Sequence, residues 1–221
     1  MTKPVIVATD PTPAGDAARR WAAEHARLLD APLRSCSAEP ADLLTAAFHA
    51  DTIVLGHHGP FALPRHLTAV AEHADCDVVV VRGTPEAVHG AHHRVTALVT
   101  GSVNDPPVLH RAADLARRRG SSLRVLHAVP PLPVRTDDPH RPITNADELL
   151  RGIRHSSVVA RMHPHEAIAH HADTDLLVVG DPGPTTRTAL HHAPCPVLVV
   201  HRPPTDDSRV PTQRRALTPA H

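Results

Sequence analysis

Short runs of β-branched and aliphatic residues punctuate the chain, and longer stretches with apolar positions at helical spacing separate them. Val5-Ile6-Val7-Ala8, Ile53-Val54-Leu55, Val78 to Val81, Val95 to Val99, Leu176 to Val179 and Pro196 to Val200 are such runs, each closed by polar or turn residues. An unbroken apolar run of this length is the mark of a strand covered on both faces, as in a parallel sheet. In the first intervening stretch Ala18, Trp21, Ala22, His25 and Leu29 share one helical face. In a later one Val108, Ala112 and Leu115 do so, with Asn104 or Asp105 placed to cap and Pro106 or Pro107 in the first turn. Leu33 to Cys36, Leu123 to Leu126 and Ser157 to Ala160 read as further strands. Helices are predicted over Ala41 to Ala50, Ala146 to Ile153, after Pro164, and over Thr185 to His192. Strands alternating with helices make βαβ units with right-handed crossovers, hence an α/β fold with parallel sheets.

The pattern occurs twice. Trp21-Ala22-Ala23-Glu24-His25-Ala26-Arg27 lines up with Arg111-Ala112-Ala113-Asp114-Leu115-Ala116-Arg117, and in the same register Leu33-Arg34 falls on Leu123-Arg124. Ile53-Val54-Leu55-Gly56 with Gly59 matches Leu177-Val178-Val179-Gly180 with Gly183. His73-Ala74-Asp75-Cys76-Asp77-Val78-Val79-Val80-Val81 matches His192-Ala193-Pro194-Cys195-Pro196-Val197-Leu198-Val199-Val200. Three blocks in one order mean two copies of one unit. The first copy is shorter by about one helix and one strand, since Ser37-Ala38-Glu39-Pro40 leads directly into the next helix. The reading is residues 1–82 as a shortened first domain, 83–94 as linker, 95–201 as second domain and 202–221 as a disordered tail rich in Pro, Asp, Ser, Thr and Arg.

Composition narrows the function classes. The 221 residues carry 23 basic and 23 acidic side chains, a formal charge of zero, which lacks the basic field a nucleic-acid surface needs. Trp21, Phe48 and Phe61 are the only aromatic rings, too few for base stacking. Nucleic acid is therefore not an expected partner. Apolar runs fall far short of the roughly 18–20 residues that span a bilayer, and the start has no signal-peptide pattern, so a cytoplasmic, membrane-free protein is expected. Cys36, Cys76 and Cys195 are widely spaced, with no C-x-x-C pair, which fits a reducing compartment. The 24 prolines mark loops and tails, and the 21 histidines, set against a single lysine, Lys3, read as drift toward GC-rich codons.

At Ala193-Pro194-Cys195-Pro196-Val197-Leu198-Val199-Val200 and the strand-Gly-x-x-Gly element before it, the chain resembles the universal stress protein family. The resemblance covers residues 3–82 and 95–201 and is to two-domain members. It implies two Rossmann-like domains, dimer formation through the last strand, a cytosolic role in stress survival or regulation, and no established catalytic chemistry. Pairing of the two final strands in an internal pseudo-dimer also removes two hydrophobic sheet edges. Members that bind ATP share Gly-x-x-Gly, nine further residues, then Gly and Ser or Thr, with an acidic residue ending the first strand. Asp10 fits the acidic position, and Gly56 and Gly59 fit the first glycine pair, but Ala69 and Val70 stand where Gly and Ser belong. In the second copy Thr100-Gly101 replaces the aspartate, and Gly180-Asp181-Pro182-Gly183 runs at once into Thr185-Thr186-Arg187.

Two readings follow for these residues. In one, the glycines only turn the chain, since Pro60 and Pro64 remove N–H groups a phosphate cradle would use, and Asp10 only favours a helix N-terminus. In the other, Asp10, Gly56, Gly59 and Arg65 are a residual nucleotide site, with His57 and His58 as further donors. His163, His165, His170 and His171 raise a metal question, but spacings of this kind arise by chance among so many histidines, so no metal site is expected. Cys76 and Cys195 read as small buried apolar residues, and no catalytic triad can be assembled. The expected protein is a non-catalytic stress-response or regulatory module without a cofactor, able to form a homodimer and acting on a protein partner. The alternative is an ATP- or AMP-binding or slow nucleotide-hydrolysing protein using the first domain.

Overall fold

The computed structural model describes residues 2–57, 63–131, 138–180 and 183–201. The expected disordered tail, 202–221, lies outside them. The first half runs β1 (Val5–Thr9), α1 (Pro13–Leu29), β2 (Leu33–Ser37), α2 (Pro40–Ala47), β3 (Thr52–Gly56), α3 (Arg65–His73) and β4 (Asp77–Val81). A short helix, α4 (Pro85–Val88), follows. The second half runs β5 (Arg94–Val99), α5 (Asp105–Arg119), β6 (Ser122–Ala128), α6 (Arg141–Leu149), β7 (His155–Ala160), α7 (Pro164–His170), β8 (Leu176–Val179), α8 (Pro184–His192) and β9 (Val197–Val199).

All nine strands form one sheet in the order β2-β1-β3-β4-β9-β8-β5-β6-β7. Every pair is parallel except β4 with β9, which run antiparallel with Val78 opposite Val199, Val79 opposite Leu198 and Val80 opposite Val197. The internal pseudo-dimer is thus built by joining the last strands of the two repeats, and both apolar edges disappear into the middle of the sheet. Within each half the order is the same, but β7 has no counterpart beyond β2. That edge of the first half is solvated, and its sequence matches: buried Val125 and Leu126 of β6 are replaced in β2 by exposed Ser35 and half-buried Cys36.

Because successive strand residues point to opposite faces, each strand feeds two cores. On one face Val5, Val7, Val79, Val95 and Leu198 pack with Trp21 and Ala22 of α1, Leu115 of α5 and Ile143 of α6. On the other Ile6, Val78, Val80 and Val197 pack with Leu43 of α2, Val70 of α3, Ile168 of α7 and Leu190 of α8. Helix ends follow local chemistry. The Thr12 hydroxyl accepts from the Gly15 N–H at 3.2 Å at the start of α1, and Gly120, at φ 63°, ends α5.

Three boundaries differ from the sequence expectation. α6 spans Arg141–Leu149 rather than 146–153, because Pro142 sits in a first turn that needs no N–H from it, and the chain turns at Gly152 with φ 86°. The stretch read as linker contains α4, nucleated by Thr84, whose hydroxyl accepts from Ala87 N at 3.3 Å. α2 stops at Ala47, three residues early.

Charged side chains hold the two halves together. Arg111 of α5 reaches Asp51 at 2.8 Å and Asp77 at 2.7 Å, both in the first half. Arg119 lies 4.9 Å over the Trp21 ring, and Arg118 donates to the Leu28 carbonyl at 2.9 Å. On the other face the guanidinium of Arg82, just past β4, donates to the Leu190 and His191 carbonyls at the end of α8.

Candidate functional site

Open α/β sheets bind ligands beyond the carboxyl ends of their strands, where the strand order reverses. In the second half that point is β5, flanked by β6 and β8. A cavity of about 650 Å³ opens there, with Thr100, His127, Asp138, Arg141, Asn145 and Thr185 as its polar lining. A narrower one of about 240 Å³ lies between the first turns of α5 and α8, bordered by Ser102, Asp105, Gly180 and Thr186. The two share Leu98, Thr100 and Thr185 and so form one crevice.

Asp105 governs its narrower end. As the first residue of α5 it folds back, and its carboxylate accepts from the Gly101 N–H at 2.7 Å and the Thr100 N–H at 3.1 Å. The Thr100 and Ser102 hydroxyls approach it at 3.4 Å. On the α8 side the Thr186 hydroxyl donates to the Gly180 carbonyl at 2.9 Å, and Pro184 contributes no N–H. His127 stands on β6 with Nδ1 2.9 Å from the Val99 carbonyl. A carbonyl only accepts, so Nδ1 carries the hydrogen and Nε2 of the neutral ring is an acceptor.

The first-half residues singled out from sequence are arranged differently. Asp10 is half-buried directly after β1. Its backbone presses on α1, where a Cβ at Gly15 would lie 2.0 Å from the Asp10 carbonyl oxygen. Gly56 ends β3 against the same helix, and a Cβ there would lie 2.4 Å from the Ala14 carbonyl oxygen. Its neighbour His57 donates its N–H to Val81 at 3.0 Å. The fold thus brings Asp10 and Gly56 to the first turn of α1. Arg65 is exposed at the start of α3, a helix that packs on the opposite face of the sheet. Gly59, like His58, lies outside the described residues.

Asp105 is the residue that sequence reasoning missed as anything but a cap. The register that sets Trp21 on Arg111 also sets Asp10 on Thr100 and Gly15 on Asp105. The carboxylate absent from the end of β5 is therefore supplied by the helix that follows. Only the pairing of Gly15 with Asp105 could have signalled this.

The remaining candidates are accounted for by packing. Cys76 and Cys195 are buried, and burial pushes both thiols up to about 12, which keeps them protonated and unreactive. The His163 ring lies 5.9 Å from His165, and His165 lies 6.3 Å from His192, a contact between α7 and α8 that spacing did not foretell. Among the described residues no three His, Cys, Asp or Glu side chains converge as a metal site. Among them, too, no helix is long and apolar enough to cross a membrane.

A sequence profile described as the universal stress protein family matches residues 92–201, which contain the whole crevice. Through this second half the chain belongs to the universal stress protein family. The first half repeats the strand order of the second without the strand that β7 supplies. Among solved structures, a universal stress protein from Archaeoglobus fulgidus DSM 4304 is similar over 92% of this chain and 87% of its own, at 16% identity and a TM-score of 0.63. A putative universal stress protein from Pseudomonas aeruginosa UCBPP-PA14 is similar over 90% of this chain and 82% of its own, at 14% identity and a TM-score of 0.56. The cytoplasmic domain of a prokaryotic cation chloride cotransporter is similar over 90% and 95%, at 12% identity and a TM-score of 0.54. At these identities the likeness is one of fold. No curated protein sequence matches the chain significantly.

Proposed function

We propose that this universal stress protein family member is a non-catalytic stress-response or regulatory module, acting in the cytoplasm on a protein partner, whose phosphate-loop positions no longer hold ATP. The observation that carries this reading is the contact between Gly56 and α1. The absent side chain makes room for the Ala14 carbonyl, not for a phosphate oxygen. The next N–H, on His57, is committed to Val81. In the second half the N–H groups of Thr100 and Gly101 are committed to Asp105. Each charge-assisted bond a triphosphate fails to make costs about 1.5–3 kcal/mol, so losing two or three turns micromolar binding into millimolar or worse. Three free cysteines, two with protonated buried thiols, support a reducing setting and a non-catalytic role.

Calorimetric titration of ATP and of AMP into the full chain tests this. No saturable heat is expected up to about millimolar concentration. Saturable micromolar binding abolished by Asp10→Asn or Arg65→Ala would overturn the reading in favour of a nucleotide site in the first half.

A further inference from the structure

We infer that the crevice of the second half takes an uncharged, polyhydroxylated ring compound, and that Asp105 is the specificity-determining residue that shuts phosphate esters out of it. This rests only on the part of that reading that concerns the second half, whose phosphate-loop positions do not hold a nucleotide, and it goes on to say what the crevice accepts instead.

The space is of ligand size, since small-molecule pockets run from about 300 to 1,000 Å³ and the larger part of this one measures about 650 Å³. Its narrower end is where an anion would ordinarily sit, at the start of a fifteen-residue helix whose dipole and exposed N–H groups favour negative charge. That seat is filled from within. The Asp105 carboxylate holds the Thr100 and Gly101 N–H groups at 3.1 and 2.7 Å and brings its own negative charge. A phosphate arriving there meets occupied donors and a like charge that repels it.

The rest of the lining suits a neutral partner. Among the described residues of the larger cavity, Asp138 and Arg141 are the charged lining groups, one of each sign, and they sit three residues apart, where the Arg141 N–H donates to the Asp138 carbonyl at 3.0 Å. His127, with its proton on Nδ1, offers Nε2 as an acceptor for a ligand hydroxyl. The Asn145 amide and the Thr100 and Thr185 hydroxyls both donate and accept. Pro130, Pro139, Pro142 and Pro164 add apolar surface against which the C–H face of a ring packs. Hydroxyl groups toward the strand ends and a C–H face toward the prolines describe a sugar ring, free or as part of a nucleoside.

The repeat shows that the carboxylate's position distinguishes the halves. In the first half Gly15 has no room for a side chain, its would-be Cβ lying 2.0 Å from the Asp10 carbonyl oxygen, so a carboxylate there comes only from the strand end. In the second half it comes from the helix and turns onto the backbone donors.

The test follows the amide signals of Thr100, Gly101, Asn145 and Thr185 in the full chain during titration with adenosine and with maltose, and with their phosphorylated counterparts AMP and maltose 6′-phosphate. We expect at least one neutral compound to move these signals saturably, and its phosphorylated counterpart to bind at least tenfold more weakly. Response to adenosine alone assigns a nucleoside, and response to maltose a free sugar. In Asp105→Asn, which keeps an oxygen acceptor for Gly101, and in Asp105→Ser, the gap between neutral and phosphorylated forms should shrink about tenfold, the effect of about 1.4 kcal/mol. No response to either neutral compound, equal or tighter binding of the phosphate ester to the unmodified chain, or an unchanged gap in both folded variants would overturn the inference. ATP binding that depends on Asp10 and leaves the Thr100 and Gly101 signals still would instead sink the proposed module and leave this inference standing.

Discussion

The guanidinium Nε of Arg111, on α5 in the second repeat, lies 2.7 Å from the carboxylate of Asp77, the first residue of β4 in the first repeat. The pair sits where the two halves meet, and the same guanidinium reaches Asp51 at 2.8 Å. Asp77 also accepts the His201 N–H at 3.2 Å, so one carboxylate ties together α5, β4 and the end of β9. Asp51 responds as a paired group: burial alone would raise its carboxyl, yet Arg111 and the Thr52 hydroxyl hold it below the ordinary value.

Removing Arg111 leaves two carboxylates facing each other without their cation. Arg111→Ala is expected to destabilise the chain by about 3 kcal/mol, the low end of what breaking a buried pair costs, because the site is partly open to water. Arg19→Ala breaks an ion pair with Asp16 in which both side chains are more than half exposed, and should cost under about 0.5 kcal/mol. Urea unfolding of the two variants measures the difference.

Two groups at this joint, half-buried Asp77 and fully buried His25, titrate in opposite senses. Burial pushes the Asp77 carboxyl up to about 6 despite Arg111. The folded chain therefore holds a proton that the unfolded chain, at 3.8, releases, and this group adds stability as pH falls from about 6 to 4. His25, fully buried and stacked on Trp21 at 4.8 Å, is driven down to about 3 by burial and then by Arg119 and Arg111. There the unfolded chain takes the proton first, so stability is lost as pH falls below about 6.5. Between about 4 and 6 the two slopes oppose each other, and the pair contributes little net pH dependence. Asp77→Asn should expose the His25 slope, with stability declining from about pH 6.5 by roughly 1 kcal/mol per pH unit. His25→Phe should expose the other, with stability rising as pH falls from 6 to 4. Thermal or urea unfolding across pH 4–7 distinguishes them.

Gly56 and Gly180 occupy the same place in the two repeats but differ in what surrounds them. A Cβ at Gly56 strikes backbone at 2.4 Å, whereas at Gly180 the nearest atom is a Val108 methyl at 3.3 Å. Gly56→Ala should cost about 2 kcal/mol or more by forcing β3 and α1 apart, and Gly180→Ala under about 1 kcal/mol. Similar losses at both sites would count against packing as the reason for Gly56.

Separating the halves uncovers β4. A fragment of residues 1–90 exposes the edge of Val78 to Val81 and leaves Arg82 without the α8 carbonyls it donates to. It is expected to self-associate or aggregate, while the full chain stays compact. Light scattering on both settles the point, and a soluble, folded monomeric fragment would refute it.

The strands and most helices were legible in the sequence because apolar periodicity reports directly which faces are buried. The repeat gave the strand order of the second half a shadow in the first, and Val78 to Val81 and Val197 to Val200 announced themselves as edges in need of cover. Helix limits are less legible where proline is taken to mark loops: Pro142 stands in the first turn of α6, which needs no N–H from it.

The joint and the crevice were decided by tertiary structure. Arg111 meets Asp51 and Asp77 because β4 pairs antiparallel with β9 and joins the halves, His165 meets His192 because α7 packs on α8, and Asp105 meets Thr100 and Gly101 through the course of the β5–α5 turn. Burial of a stripe is a property of one segment and repeats along the chain with a period. The partner of a charged or polar side chain is a property of two segments at once, and it has no period for the sequence to display.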